Sequence, residues 1–316
     1  MPHLLALLND RFFEPAFFLQ LVTNGLSNGA IYGAMALTVV IIFRTTGHLN
    51  FAQGEMATLA AFGVFVLDAE QGLPVWLAVL IVVAVSVVAG AAIERLVVRP
   101  VEHRSSLGVV IVTLGLFLLF NALSAIIFGT TPLTPPRPFP GGVDDQILVM
   151  EGPPQLSVTY RAIGTWVVLA IVVTLLVLLL NRTKLGLAYR AVAANRESAQ
   201  LVGIPVGRML MLGWGLSAGI GALVGVLVAQ KSDALDFNLM GPVLIYGFAA
   251  AALGGFDSIK GAVVAGLIVG LAEALIPNLF TFIGSELSLV MALVIILAVL
   301  LARPQGLFGS VRVVRA

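Results

Sequence analysis

Long apolar runs separated by short polar links recur from one end of this chain to the other. A helix that crosses a bilayer needs about 20 mostly apolar residues. Nine stretches answer to that pattern: Pro15–Phe43, Phe51–Leu67, Leu73–Val97, Leu107–Phe128, Gly164–Leu180, Met209–Ala229, Gly241–Leu253, Ala262–Ile276 and Leu287–Ala302. They predict an all-α polytopic membrane protein, a bundle of about nine transmembrane helices forming a single domain over residues 1–316. The second, seventh and eighth stretches are short, so a re-entrant or broken span and a total of eight to ten crossings fit equally. The longest link, residues 129–163, has five prolines between Pro132 and Pro140 and the pair Gly141-Gly142. Apolar residues in Gln146–Met150 and alternation in Gln155–Tyr160 predict two short strands there. A small cap is one reading of this link, an irregular lid the other. Residues 1–14 lack the basic start and small-residue cleavage site of a signal peptide. Leu4, Leu5, Leu7, Leu8, Phe12 and Phe13 predict a short amphipathic piece at the interface, against the alternative of a flexible terminus.

The placement of lysine and arginine orients the bundle. Arg95, Arg99 and Arg104 follow the third run, Arg182, Lys184, Arg190, Arg196 and Arg208 the fifth, and Arg303, Arg312 and Arg315 the last. An even number of crossings separates these links, so all fall on one side, the cytoplasm by the positive-inside rule. The opposite links hold Asp68, Glu70, Asp144, Asp145, Glu151, Asp233, Asp236 and Glu286 against Arg137, Arg161 and Lys231. The N-terminus is therefore expected outside and the C-terminus inside.

Composition narrows the chemistry. Charged residues are 10% of the chain and hydrophobic ones 59%, against about 25% charged in a soluble domain, so most of the surface must meet lipid. A net charge of +1 offers nothing to nucleic acid. There is no cysteine, and His3, His48 and His103 are scattered, which leaves no thiol chemistry, no metal-ligand spacing and no cofactor.

Several residues carry candidate roles. Gly25, Gly29 and Gly33, then Gly221 and Gly225, then Gly266 and Gly270 repeat at four-residue spacing and let helix backbones approach. Asn24 and Asn28 share a face of the first run, either as a pathway lining for a polar solute or as interhelical glue. Glu55, within Asn50-Phe51-Ala52-Gln53-Gly54-Glu55, enters the bilayer, as does Glu273. Each is a functional candidate by its cost, or alternatively a helix-start group or an ion-pair partner of a cation such as Arg44. Two carboxylates do not make a proton relay. The link 181–208 contains Arg190-Ala191 through Ile204-Pro205. Its alanines predict a short helix, ended by Gly203 and Pro205. Such a helix between two spans either transmits motion from a cytoplasmic partner or is a solvated link.

Three stretches decide between these readings by resemblance. Asn50-Phe51-Ala52-Gln53-Gly54-Glu55 resembles the Asn-Phe-Ala-His-Gly-Glu signature of permease subunits of bacterial ATP-binding-cassette importers for branched-chain amino acids, with Gln53 in place of histidine. Gly186 to Ile204 resembles the coupling segment of that family, and Gly254–Ala262 its glycine-rich turn, with Asp257 in place of glycine. The terminal Arg303-Pro304-Gln305-Gly306 also fits. The resemblance implies the bundle of a type II importer permease and four kinds of partner: a second homologous permease subunit, two cytoplasmic ATPase subunits, an extracytoplasmic solute-binding protein and the lipid bilayer. It implies coupling to the ATPases through Arg190, Ala191, Asn195, Arg196, Glu197, Ala199, Leu201, Gly203 and Ile204. On this reading Asn24, Asn28, Asn50, Gln53, Glu55 and Glu273 are the residues expected to line or gate the pathway. No Gly-x-x-x-x-Gly-Lys-Ser/Thr loop is present, so ATP hydrolysis is expected on the partners and not on this chain. Urea and short amides are alternative solutes within the same family. A self-sufficient secondary transporter or channel is the rival from another class, and an integral-membrane enzyme a weaker third.

Overall fold

The structure is a computed structural model and describes residues 10–102, 105–142, 144–150, 152, 154–280 and 287–309. Most of the amphipathic piece expected at residues 1–14 lies outside these; Asp10–Phe13 within it forms one 3₁₀ turn. The chain is helical almost throughout, because an apolar segment in lipid must satisfy its own backbone. The helices are α1 (Pro15–Thr46), α2 (Gln53–Phe65), α3 (Val75–Ile93), α4 (Ser106–Phe128), α5 (Tyr160–Arg182), α6 (Lys184–Ala194), α7 (Arg196–Leu201), α8 (Val206–Ser232), α9 (Gly241–Gly254), α10 (Ile259–Leu279) and α11 (Ser288–Ala302). Among the described residues six are long and apolar enough to cross a membrane: α1, α3 with its continuation to Glu102, α4, α5, α8 and α10. The apolar runs at α2, α9 and α11 form helices of 13, 14 and 15 residues. In the long link, β1 (Gln146–Met150) and β2 (Leu156–Thr159) pair antiparallel, with a register shift between Leu148 and Met150.

The chain divides into two compact units. One comprises residues 1–36, 139–168 and 246–316. Within it a seam of glycines joins α1 to α10. A Cβ on Gly29 would lie 2.7 Å from the Leu267 Cα, and one on Gly25 would lie 3.0 Å from the Leu271 Cα. From the other helix, Gly266 and Gly270 face the backbone of Gly33 and Gly29. Glycine is required here because any side chain would push the two backbones apart.

The second unit comprises residues 37–138 and 169–245. There α8 packs along α3 and α2. Gly90 of α3 sits on the Trp214 carbonyl, and Gly225 of α8 on the backbone of Ala57. Ile42, Val98, Val109 and Trp214 form a fully buried cluster. Short α2 begins inside this unit and not at its edge. Its first residue, Gln53, donates to the Ser217 carbonyl at 3.0 Å, and the Ser217 hydroxyl donates to the Thr38 carbonyl at 2.9 Å. Thr38 stands eight residues before the end of α1 and Ser217 eleven residues into α8, or about 12 and 16 Å along the two helices. After α1 the chain therefore doubles back through residues 47–52 before α2 starts.

The link between α5 and α8 holds two helices where its alanines predicted one. Asn195 interrupts them. It adopts an extended conformation, closes α6, and accepts from the Ser198 amide at 2.8 Å as the N-cap of α7. An asparagine side chain competes with the helix for that amide, which is why it caps better than it continues. Gly203, at φ 83°, ends the pair in the left-handed region that glycine adopts without strain.

Candidate functional site

In the first unit, polar groups descend one face of α1 at every fourth residue. The Gln20 side chain accepts from the Ser157 amide of β2 at 2.8 Å and donates to Asn24 at 3.3 Å. One turn deeper, Asn28 Nδ2 lies 2.6 Å from Glu273 Oε2 on α10, and one turn further the Tyr32 hydroxyl donates to the same oxygen at 2.9 Å. Tyr32 stacks on Tyr246 of α9 with ring centroids 4.5 Å apart. Asn24 is exposed, Asn28 half-buried and Tyr32 buried. The close α1–α10 seam brings Glu273 within reach of this ladder. The structure thus places three sequence candidates, Asn24, Asn28 and Glu273, in one array. It adds Gln20, Tyr32 and Tyr246, of which the first two continue the four-residue spacing of Asn24 and Asn28 along α1.

In the second unit, Asn50, Gln53 and Glu55 are almost completely buried, each 2% exposed or less. Gln53 is engaged at both ends: its Oε1 accepts from Asn50 Nδ2 at 3.2 Å and lies 2.9 Å from Ser217 Oγ. Gly221 gives it room, since a Cβ there would lie 2.6 Å from Gln53 Nε2. Glu55 accepts from Asn121 of α4 at 3.3 Å, and Asn121 also donates toward the Phe237 carbonyl and Asn238. The partner of Glu55 is thus an amide and not Arg44. The apolar hollow of ≈ 580 Å³ beside α2, lined by Met56, Leu59, Gly63, Ile81, Val85 and Ala89 among others, is separate from these polar groups.

The segment 181–208 is anchored to the second unit by two side chains. The Tyr189 hydroxyl donates to the Ile41 carbonyl, and burial pushes its pKa up to about 12, which keeps it a donor. Arg196 donates to the Thr45 carbonyl at 2.6 Å and pairs with Glu102 at 2.7 Å. Arg196, grouped by sequence with the docking residues, therefore turns inward. Ala199 is buried, and Ala191 and Ile204 are partly so. Arg190, Asn195, Glu197 and Gly203 are exposed, and with them Leu201 at 88% and Val202 at 76%. Nearby, Arg99 grips Glu94 with two nitrogens, at 3.0 and 2.5 Å, and donates to the Gly207 carbonyl at 2.6 Å.

Among the described residues no group of histidines and carboxylates could hold a metal. The arrangement offers polar groups at membrane depth and an exposed, partly apolar link, both of which suit solute passage. The sequence profile described as "Branched-chain amino acid transport system / permease component" matches residues 21–300. The high-affinity branched-chain amino acid transport system permease protein LivH of Salmonella typhimurium is 28% identical over 301 residues, covering 93% of this chain and 96% of that protein. The corresponding protein BraD of Pseudomonas aeruginosa is 29% identical over 300 residues, covering 92% and 96%. A solved chain of PsaBC from Streptococcus pneumoniae in complex with Fab overlays with a TM-score of 0.41 at 15% identity, covering 93% and 95%.

Proposed function

The chain belongs to the family of branched-chain amino acid transport system permease components and is a multi-pass protein of the inner membrane, and on that premise we propose that it is the permease subunit of an ATP-driven importer of branched-chain or other hydrophobic amino acids. The observation that carries the reading is the segment 181–208. It is seated on the bundle by Tyr189 and Arg196 and presents Leu201, Val202, Arg190 and Glu197 outward. Exposed apolar side chains in a polar link mark a protein contact, and the occupant is an ATPase subunit. Closure of the ATPase pair pushes α6 and α7. Arg196 passes that push to the end of α1 through Thr45 and to the end of α3 through Glu102. The solute crosses by alternating access between this chain and a second permease, past Asn24, Asn28 and Glu273 in one unit, with Asn50, Gln53 and Glu55 gating in the other. A solute-binding protein delivers it from the outside.

The N-terminus lies outside and the C-terminus inside. Two groups of contacts support this orientation. Arg99 to Gly207 and Arg196 to Glu102 join links assigned to the cytoplasm, while Arg137 to Asp233 and the Leu133–Leu235 bridge join links assigned to the outside. Co-purification from mild detergent tests the assembly. The tagged chain should bring down a second permease and ATPase subunits. Recovery of the chain alone, or only with copies of itself, would refute it.

A further inference from the structure

An ionised carboxylate at membrane depth is costly and is found where a partner compensates it. Glu273 stands six residues before the end of α10 and Asn28 thirteen into α1, so they lie about 9 and 20 Å from the nearer helix ends, inside the two spans. Among the described residues Glu273 makes no ion pair. Lys260, on the same helix, is thirteen residues away, again about 20 Å. Both donors supplied by the described residues, Asn28 Nδ2 and Tyr32 Oη, go to one oxygen, Oε2. Oε1 has no donor among the described residues, and the side chain is only half-buried. The carboxylate is therefore fixed in place from one side and open on the other.

What surrounds it sets what it takes. Tyr32, which holds the carboxylate, is buried and stacked on the buried Tyr246, and such dry surroundings on that side strengthen any charge interaction made there. The ladder of Gln20, Asn24 and Asn28 leads to it from β2. Such a place favours a cation that donates hydrogen bonds and arrives with an apolar body. A hydrated inorganic ion would demand several further oxygen ligands.

We propose that Glu273 Oε1, fixed by Asn28 and Tyr32, receives the primary ammonium group of the solute on its way through the permease. This rests on the amino-acid importer reading and adds to it the group that the membrane subunit itself recognises. Selection within the membrane is then for the α-ammonium, whatever the delivering protein selects.

The test is equilibrium binding of radiolabelled L-leucine to the permease–ATPase complex in nanodiscs without the binding protein. Isopentylamine should compete, whereas isocaproate, which lacks the ammonium, and sodium or potassium at equal concentration should not. Glu273→Gln keeps acceptors for Asn28 and Tyr32 but removes the charge. It should weaken leucine binding about tenfold or more at an unchanged melting temperature, with Glu273→Asp partly restoring it. No saturable binding, wild-type binding by Glu273→Gln, or equal competition by isocaproate or the inorganic cations would each overturn the assignment. ATP-driven leucine uptake by the wild-type complex with its binding protein is measured in parallel. Uptake that persists while these results fail removes the ammonium site and leaves the importer intact.

Discussion

Arg196 Nη1 stands 2.7 Å from Glu102 Oε1, which joins the short helix α7 to the end of α3 across ninety-four residues of sequence. The same guanidinium holds the Thr45 carbonyl at the end of α1, and the Glu102 side chain is only 8% exposed. Removing Arg196 leaves that carboxylate unpaired. Arg196→Ala is expected to destabilise the detergent-purified protein by about 3 kcal/mol, read as a lower melting temperature. Glu197→Ala, at an exposed position one residue on, should leave melting unchanged.

Leu201 and Val202 offer the complementary case. They are the most exposed large apolar side chains of the segment, on which Val192 and Ala199 are buried and Leu185 and Leu187 about half exposed. Leu201→Asp together with Val202→Asp should leave the melting temperature within a degree or so, since exposed substitutions cost about 0.5 kcal/mol or less. ATPase subunits should be lost from the pull-down. Full retention of the ATPase would remove the docking role of this patch.

These two cases show what the sequence made legible. Apolar runs located nearly every helix, because the bilayer demands a fixed length of apolar residues, and the alternation at Gln155–Tyr160 located a strand. The run does not report depth, so the start of α2 inside its unit was not visible; it is set by Ser217, 164 residues from Gln53. Nor does a basic residue in a link report its direction. Arg190 and Arg196 read alike in sequence, yet one is exposed and the other is tied to Thr45 and Glu102. The break at Asn195 carried a signal, since asparagine favours N-caps, but the surrounding alanines outweighed it. Glu273 and Asn28 were visible only as separate candidates, because their meeting depends on a seam between helices more than two hundred residues apart.

The seam itself is testable. Gly29→Leu would force α1 and α10 apart where a single Cβ already meets Leu267 Cα at 2.7 Å. Overpacking of this kind costs about 1–3 kcal/mol or more, so the variant should melt at a lower temperature. Gly115, in the interior of α4, is the control: a methyl group there would meet nothing within 4 Å. Gly115→Ala should be neutral or stabilise by up to about 1 kcal/mol.

Gln53 connects three helices through Ser217 and Thr38. Gln53→Ala removes the donor to the buried Ser217 carbonyl and the acceptor of the buried Asn50 amide, at an expected cost of about 1–3 kcal/mol. Ser217→Ala should be smaller in effect, and the double variant less than the sum, because both lose the contact between Ser217 Oγ and Gln53 Oε1. Additive melting shifts would mean that the network does not act as a unit.

ATP-driven uptake addresses the importer reading most directly. The chain, its partner permease and the ATPase subunits are reconstituted in liposomes, the solute-binding protein and labelled leucine are added outside, and uptake is followed with and without ATP within. Leucine should accumulate only with ATP and only with all subunits present. Accumulation by this chain alone without ATP, driven by an ion gradient or by none, would contradict the importer reading and make the chain a self-sufficient transporter.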